Sequence, residues 1–140
     1  MNRLLIGILF LIGCNLISAQ SVLGKWKTID DETGKEKSIV EIYESDGKIY
    51  GKIIELLNPS EENPKCSNCE GSKKDQSILN MVIIEGLEKG DDVYEGGTIL
   101  NPENGKTYKC RLKLEDDKGK LQVRGYVAFF YKTQYWKRIE

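Results

Sequence analysis

Cys66 and Cys69 form the one close pair of reactive side chains in the chain, a Cys-x-x-Cys spacing inside a polar stretch. Such a pair can close a disulfide, exchange thiols or ligate a metal. The disulfide is the first reading. Its ring is short, so the entropic gain is modest and the bond chiefly shapes a local turn. A redox pair would want a helix N-terminus to lower a thiolate pKa, and Pro64, Glu70 and strand-rich surroundings offer none. Structural zinc wants four ligands, so Cys110 and a carboxylate would have to complete the shell. Cys110, however, alternates with Tyr108 and Leu112 on an apolar face and reads as a buried, inert thiol.

Histidine is absent, which removes most nucleophile–base pairs, most transition-metal sites and the usual proton shuttles. Glu41 and Glu55 fall on candidate strands, but a single acid without a partner is weak support for acid–base chemistry. Asp30-Asp31-Glu32 and Asp116-Asp117 lack the spacing of a calcium loop and read as solvated turns. Gln122, Arg124 and Tyr126 share one face of their strand, opposite Leu121 and Val123. Were that face turned inward, the three would anchor a polar head group; turned outward, they are solvent-facing. Phe129, Phe130 and Tyr131 form an aromatic run near a strand end, suited to a pocket mouth or to rim packing. No catalytic set, metal site or cofactor site emerges, and the chain does not read as an enzyme.

The first residues carry an address rather than chemistry. Arg3 precedes an apolar run from Leu4 to Gly13, and small residues follow at Ser18 and Ala19. That is the order of a secretory signal, and the run is shorter than the ~20 residues that span a bilayer. The expected division is a signal peptide at 1–19 and a single domain at 20–140. An alternative lies within the signal: Leu11-Ile12-Gly13-Cys14 resembles the bacterial lipobox, which would make Cys14 a lipidated N-terminus. The expected location is periplasmic or secreted, with anchoring through Cys14 as the alternative. Without Arg3 the chain keeps 20 basic against 22 acidic residues. That balance excludes the basic excess a nucleic-acid binder needs.

The domain reads as short strands separated by Gly, Asn and Asp turns. Candidate strands cover residues 22–29, 38–44, 48–57, 78–87, 93–100, 106–115, 120–126 and about 133–139. Asp46-Gly47 is a tight hairpin signal, and Asn101-Pro102-Glu103-Asn104-Gly105 is another connection. Gly51 inside a strand marks a bulge or bend. Residues 106–115 alternate most cleanly, with Tyr108, Cys110, Leu112 and Leu114 on one side. Only residues 58–76 are long and irregular, and they are expected to cross one end of the fold. Eight or nine strands joined in sequence predict an all-β, antiparallel up-and-down barrel, with a β-sandwich as the alternative.

Gly24-Lys25-Trp26 on the first strand resembles the Gly-x-Trp signature of lipocalin-like (calycin) proteins, and Trp136-Lys137-Arg138 supplies a late Arg to pack across that Trp. An Arg plane over an indole would join first strand to last, so Trp26 and Arg138 form a candidate barrel-closing pair. Several further runs extend the likeness: Asp46-Gly47-Lys48-Ile49-Tyr50-Gly51, Lys65-Cys66-Ser67-Asn68-Cys69, Asn101 to Tyr108, Leu121 to Tyr126 and Gln134 to Arg138. Together they resemble an exported bacterial family catalogued as domain of unknown function 2147. The resemblance implies a signal peptide and a lipocalin-like barrel and brings no activity. A barrel of eight strands is wide enough for one small ligand, so a binding module for an apolar or amphipathic molecule is the leading expectation. The competing expectations are a filled barrel that contacts another envelope protein and, last, a thiol-redox or other enzyme.

Overall fold

The computed structural model describes residues 21–139. The expected signal peptide and Cys14 lie outside the described residues. Eight antiparallel strands follow one another around a closed barrel: β1 (Gly24–Ile29), β2 (Glu36–Ser45), β3 (Lys48–Leu56), β4 (Val82–Lys89), β5 (Tyr94–Asn101), β6 (Lys106–Leu114), β7 (Lys120–Val127) and β8 (Phe130–Arg138). Each pairs with its sequence neighbour, and β8 returns to β1 through Trp26↔Arg138 and Lys27↔Lys137. This last ladder removes both sheet edges and decides between barrel and sandwich.

The turns explain the connectivity. Asp46 and Gly47 both take positive φ, 50° and 78°, and join Ser45 to its partner Lys48 in a two-residue turn matched to the strand twist. Gly51 lies between two register shifts of the β3–β4 ladder, where Ile84 packs so closely that an added Cβ would meet it at 3.0 Å. The missing side chain thus lets β4 close over β3 at the bend.

Most strand boundaries fall within two residues of the sequence reading, and two starts differ by more. β4 starts at Val82 rather than residue 78, because Asn80 takes φ 69° and the preceding Ile78 N–H donates to Pro64 O instead of a ladder partner. β8 starts at Phe130 rather than near 133, because the β7–β8 connection is a tight hairpin pairing Val127 with Phe130.

An up-and-down barrel gathers alternate connections at opposite ends. The β2–β3, β4–β5 and β6–β7 turns share one end with the first and last strand termini. There Trp26, Ile42, Ile49, Leu87, Leu112 and Leu121 fill the interior, all buried. Burial of each such side chain is worth about 1.5–3 kcal/mol. Trp26 Nε1 donates to Val22 O at 2.8 Å, and the Arg138 guanidinium lies 4.3 Å over the Trp26 ring. Arg138 also donates to the carbonyls of Lys118, Leu23 and Ser21, which draws both ends of the domain over the barrel floor. Burial there holds its pKa below the usual guanidinium value.

Candidate functional site

At the other end the β1–β2, β3–β4, β5–β6 and β7–β8 connections surround an open cavity of about 880 Å³. Its position follows from side-chain size. Large residues close the far half, whereas Gly125, Thr28 and Ser38 point inward here and leave space. Trp136, Ile53, Ile83 and Val123 form the apolar floor, and Ile99, Tyr108, Phe130 and Tyr131 stand along the wall and lip.

Polar groups are few and placed. Thr28 Oγ1 and Ser38 Oγ are 2.7 Å apart across the β1–β2 ladder, both residues buried. Gln134 Oε1 accepts from Trp136 Nε1 at 3.3 Å while Gln134 Nε2 donates to Asp31 at 3.0 Å. The amide thereby runs from the indole on the cavity floor to the rim. Asn104 Nδ2 donates to the Tyr108 hydroxyl oxygen at 3.0 Å.

Charged residues sit only at the rim, where they tie the loops together. Lys37 bridges Asp30 at 3.6 Å and also pairs with Glu103, linking the β1–β2 turn to the β5–β6 hairpin across the mouth. Lys132 pairs with Asp31 at 3.2 Å. The backbone N–H of Thr33, followed by that of Glu32, holds the Asp30 carboxyl below the usual carboxylate range. Asp30 thus organises the turn that carries two of these three bridges.

The long β3–β4 connection forms one side of the mouth. Cys66 and Cys69 are joined in a disulfide with Cα atoms 5.3 Å apart, and both residues are buried. Cys66 N–H donates to Gln76 O at 2.8 Å, and Asp75 N–H returns to Cys66 O at 2.9 Å. Asn68 Nδ2 donates to Glu103 O at 2.9 Å, which seats the loop on the β5–β6 hairpin. Gly105 is part of that seat: with φ 72°, its missing Cβ would stand 2.8 Å from Cys69 N and closer still to the Asn68 carbonyl. The loop contains a three-residue 3-10 turn, Gly71–Lys73, after the second cysteine. Buried sulfurs without a helix N-terminus are poorly placed for thiol exchange. Cys110 is buried on β6, and desolvation pushes its thiol up to about 12. Among the described residues no three Cys, Asp or Glu side chains gather as a metal shell.

Gln122, Arg124 and Tyr126 do not line this cavity. Leu121, Val123 and Gly125 take the inward positions of β7, so the period of two turns the polar trio outward. Gln122 accepts from Arg111 at 3.0 Å and donates to Glu115 at 3.3 Å. Arg124 donates to Thr133 at 2.9 Å and stacks 4.7 Å over Tyr131. Of the aromatic run, Phe130 and Tyr131 do stand at the lip. Thr28, Ser38, Gln134 and Trp136 line the cavity although the sequence reading assigns none of them to a site. Once Trp136 is set inward, period-two spacing places Gln134 beside it. Thr28 and Ser38 become legible only with the β1–β2 register.

Comparisons with known proteins bear on this geometry. A bacterial family described as uncharacterized, domain of unknown function 2147, matches residues 24–138. Among solved structures, HP1028 from the human pathogen Helicobacter pylori is similar, with a TM-score of 0.75 and 26% identity over 87% of this chain and 85% of that one. That protein is described as belonging to the lipocalin family. No curated protein matches the chain.

Proposed function

The chain belongs to the bacterial family catalogued as domain of unknown function 2147, and from that premise we propose that it is a non-enzymatic binding module for one small amphipathic molecule. The observation that carries this reading is the half-open barrel: packed at one end, and holding about 880 Å³ at the other. Small-molecule pockets run to roughly 300–1,000 Å³, mostly apolar with a few convergent polar groups. Here the apolar part of the ligand rests on Trp136, Ile53 and Val123. Its polar part is met by the Thr28–Ser38 pair, Gln134 or the charged rim. The lipocalin-family description of the similar H. pylori protein supports a carrier over a filled interaction barrel. The Cys66–Cys69 disulfide supports an exported protein, since such bonds persist in oxidising compartments. Location in the periplasm or outside the cell, or anchoring through a lipidated Cys14, belongs to the same proposal.

Native mass spectrometry of the protein isolated from its own envelope tests the reading directly. Extra mass released on gentle activation is expected; a bare polypeptide that also ignores added fatty acids and lysophospholipids would refute it. Trp136 on the cavity floor gives a second readout, because an arriving ligand alters its fluorescence while Trp26 stays covered by Arg138. Gly125→Leu should abolish that change without unfolding the barrel. Its Cβ would lie an ordinary 3.4 Å from Tyr108 Cβ, leaving the added carbons to occupy the cavity.

A further inference from the structure

The apex of the β7–β8 hairpin is built against ordinary turn chemistry. Ala128 takes φ 49° in a position that such two-residue turns commonly fill with glycine. Phe129 follows it, 99% exposed, with Phe130 at 78% and Val127 at 48%. These side chains contribute little to the packed core, so a strained and apolar tip needs another reason.

The wall behind the tip is uniformly basic. Strands β6, β7 and β8 carry nine Lys and Arg residues and no carboxylate, whereas all seven strand carboxylates lie on β2 to β5. Arg111 faces Arg124 and Lys120 faces Lys137 directly across the ladders, an arrangement that repels. Tyrosines are interleaved instead of acids: Arg124 lies 4.7 Å over Tyr131 and Lys120 lies 5.5 Å over Tyr135. The Arg111 Nε is buried without a partner. The neighbouring carboxylates stand at the margins. Asp31 holds Lys132 at the mouth, while Glu115, Asp116 and Asp117 lie at the far, β6–β7 end.

We propose that the tip and the mouth end of this wall dock on an anionic phospholipid bilayer. Phe129 and Phe130 enter the boundary between head groups and acyl chains, Tyr126 and Tyr131 lie at head-group level, and Lys109 and Arg124 meet lipid phosphates. The exposed phenylalanine tip stands at the mouth end of the barrel, so its insertion sets the barrel with its mouth toward the lipid. Val127, Phe130 and Tyr131 line the mouth as well as the tip, so docking brings the cavity entrance to the membrane surface. A lipid surface suits this face better than a protein does, because protein interfaces are depleted in lysine and a narrow convex apex offers them little area. Docking stands apart from what the cavity holds: loss of cavity ligand with vesicle binding intact would strike only the carrier reading.

Sedimentation of the mature protein with vesicles tests the proposal. Vesicles of phosphatidylcholine and phosphatidylglycerol in equal parts should bind it well, and pure phosphatidylcholine much less, with salt weakening the difference. The double substitution Phe129→Ser, Phe130→Ser should cost at least about tenfold in vesicle affinity while leaving thermal stability unchanged. Lys109→Gln should cost about fivefold. Equal binding by wild type and the double variant, or no binding to either vesicle, overturns the proposal. So does a wild-type dimer in solution that the double variant converts to monomer, which would assign the tip to a second copy of the chain.

Discussion

Gly105 offers a direct test of how the cysteine loop is held at the mouth. The residue has φ 72°, where an L-residue costs about 1 kcal/mol relative to glycine. A Cβ there also collides with the backbone of Asn68 and Cys69, which cannot rotate away as a side-chain tip can. The loop must therefore shift, at an overpacking cost of about 1–3 kcal/mol, and strain the Asn68–Glu103 hydrogen bond. Gly105→Ala should destabilise the barrel by about 2–4 kcal/mol in all. Gly34 provides the control, because it has the same φ of 72° with nothing within 4 Å of an added Cβ. Gly34→Ala should cost only the backbone part, about 1 kcal/mol. For a domain of this size each kcal/mol lowers Tm by about 4 °C, so the two variants should separate clearly in thermal and urea unfolding of the oxidised protein. Equal losses in the two variants would refute the seated loop, for then only the shared backbone strain would be felt.

Two further outcomes follow from buried groups. Arg138→Lys keeps the charge but loses the planar stack on Trp26 and the reach to three carbonyls, so urea unfolding should show a loss of about 2–3 kcal/mol. Wild-type stability in that variant would mean that Arg138 does not close the barrel. Cys110, whose thiol is pushed up to about 12 from 9.0, stays protonated in the fold while the unfolded chain ionises. Its stabilising effect is full below pH 9 and is lost as pH rises from 9 through 12. Stability should fall more steeply in wild type than in Cys110→Ala above pH 9, and iodoacetamide at pH 8 should reach Cys110 only on unfolding; rapid alkylation of the folded protein would contradict its burial.

Much of the molecule was legible before any tertiary contact was considered. Asp46-Gly47 and Asn101-Pro102-Glu103-Asn104-Gly105 mark hairpins because few residues tolerate positive φ, and that constraint is local. The alternation of Tyr108, Cys110, Leu112 and Leu114 marks a half-buried strand for the same reason: the pleat has a period of two whatever lies across from it. Short strands joined in order, without helices, then leave little besides a meander that closes on itself.

What the sequence by itself determined, therefore, was which residues share a strand face and where the chain turns. Which face points inward was decided by the tertiary structure. Gln122, Arg124 and Tyr126 share a face as expected, yet closure through Trp26↔Arg138 commits Leu121, Val123 and Gly125 to the interior and turns the trio out. Thr28 meets Ser38, and Lys37 meets Glu103, only once β1, β2 and the β5–β6 hairpin are brought together around the mouth. The cavity is likewise a property of the closed barrel, since its volume is the space left between side chains from many strands. Local sequence sets the period of each strand, but register and closure across strands set the contents of the space they enclose.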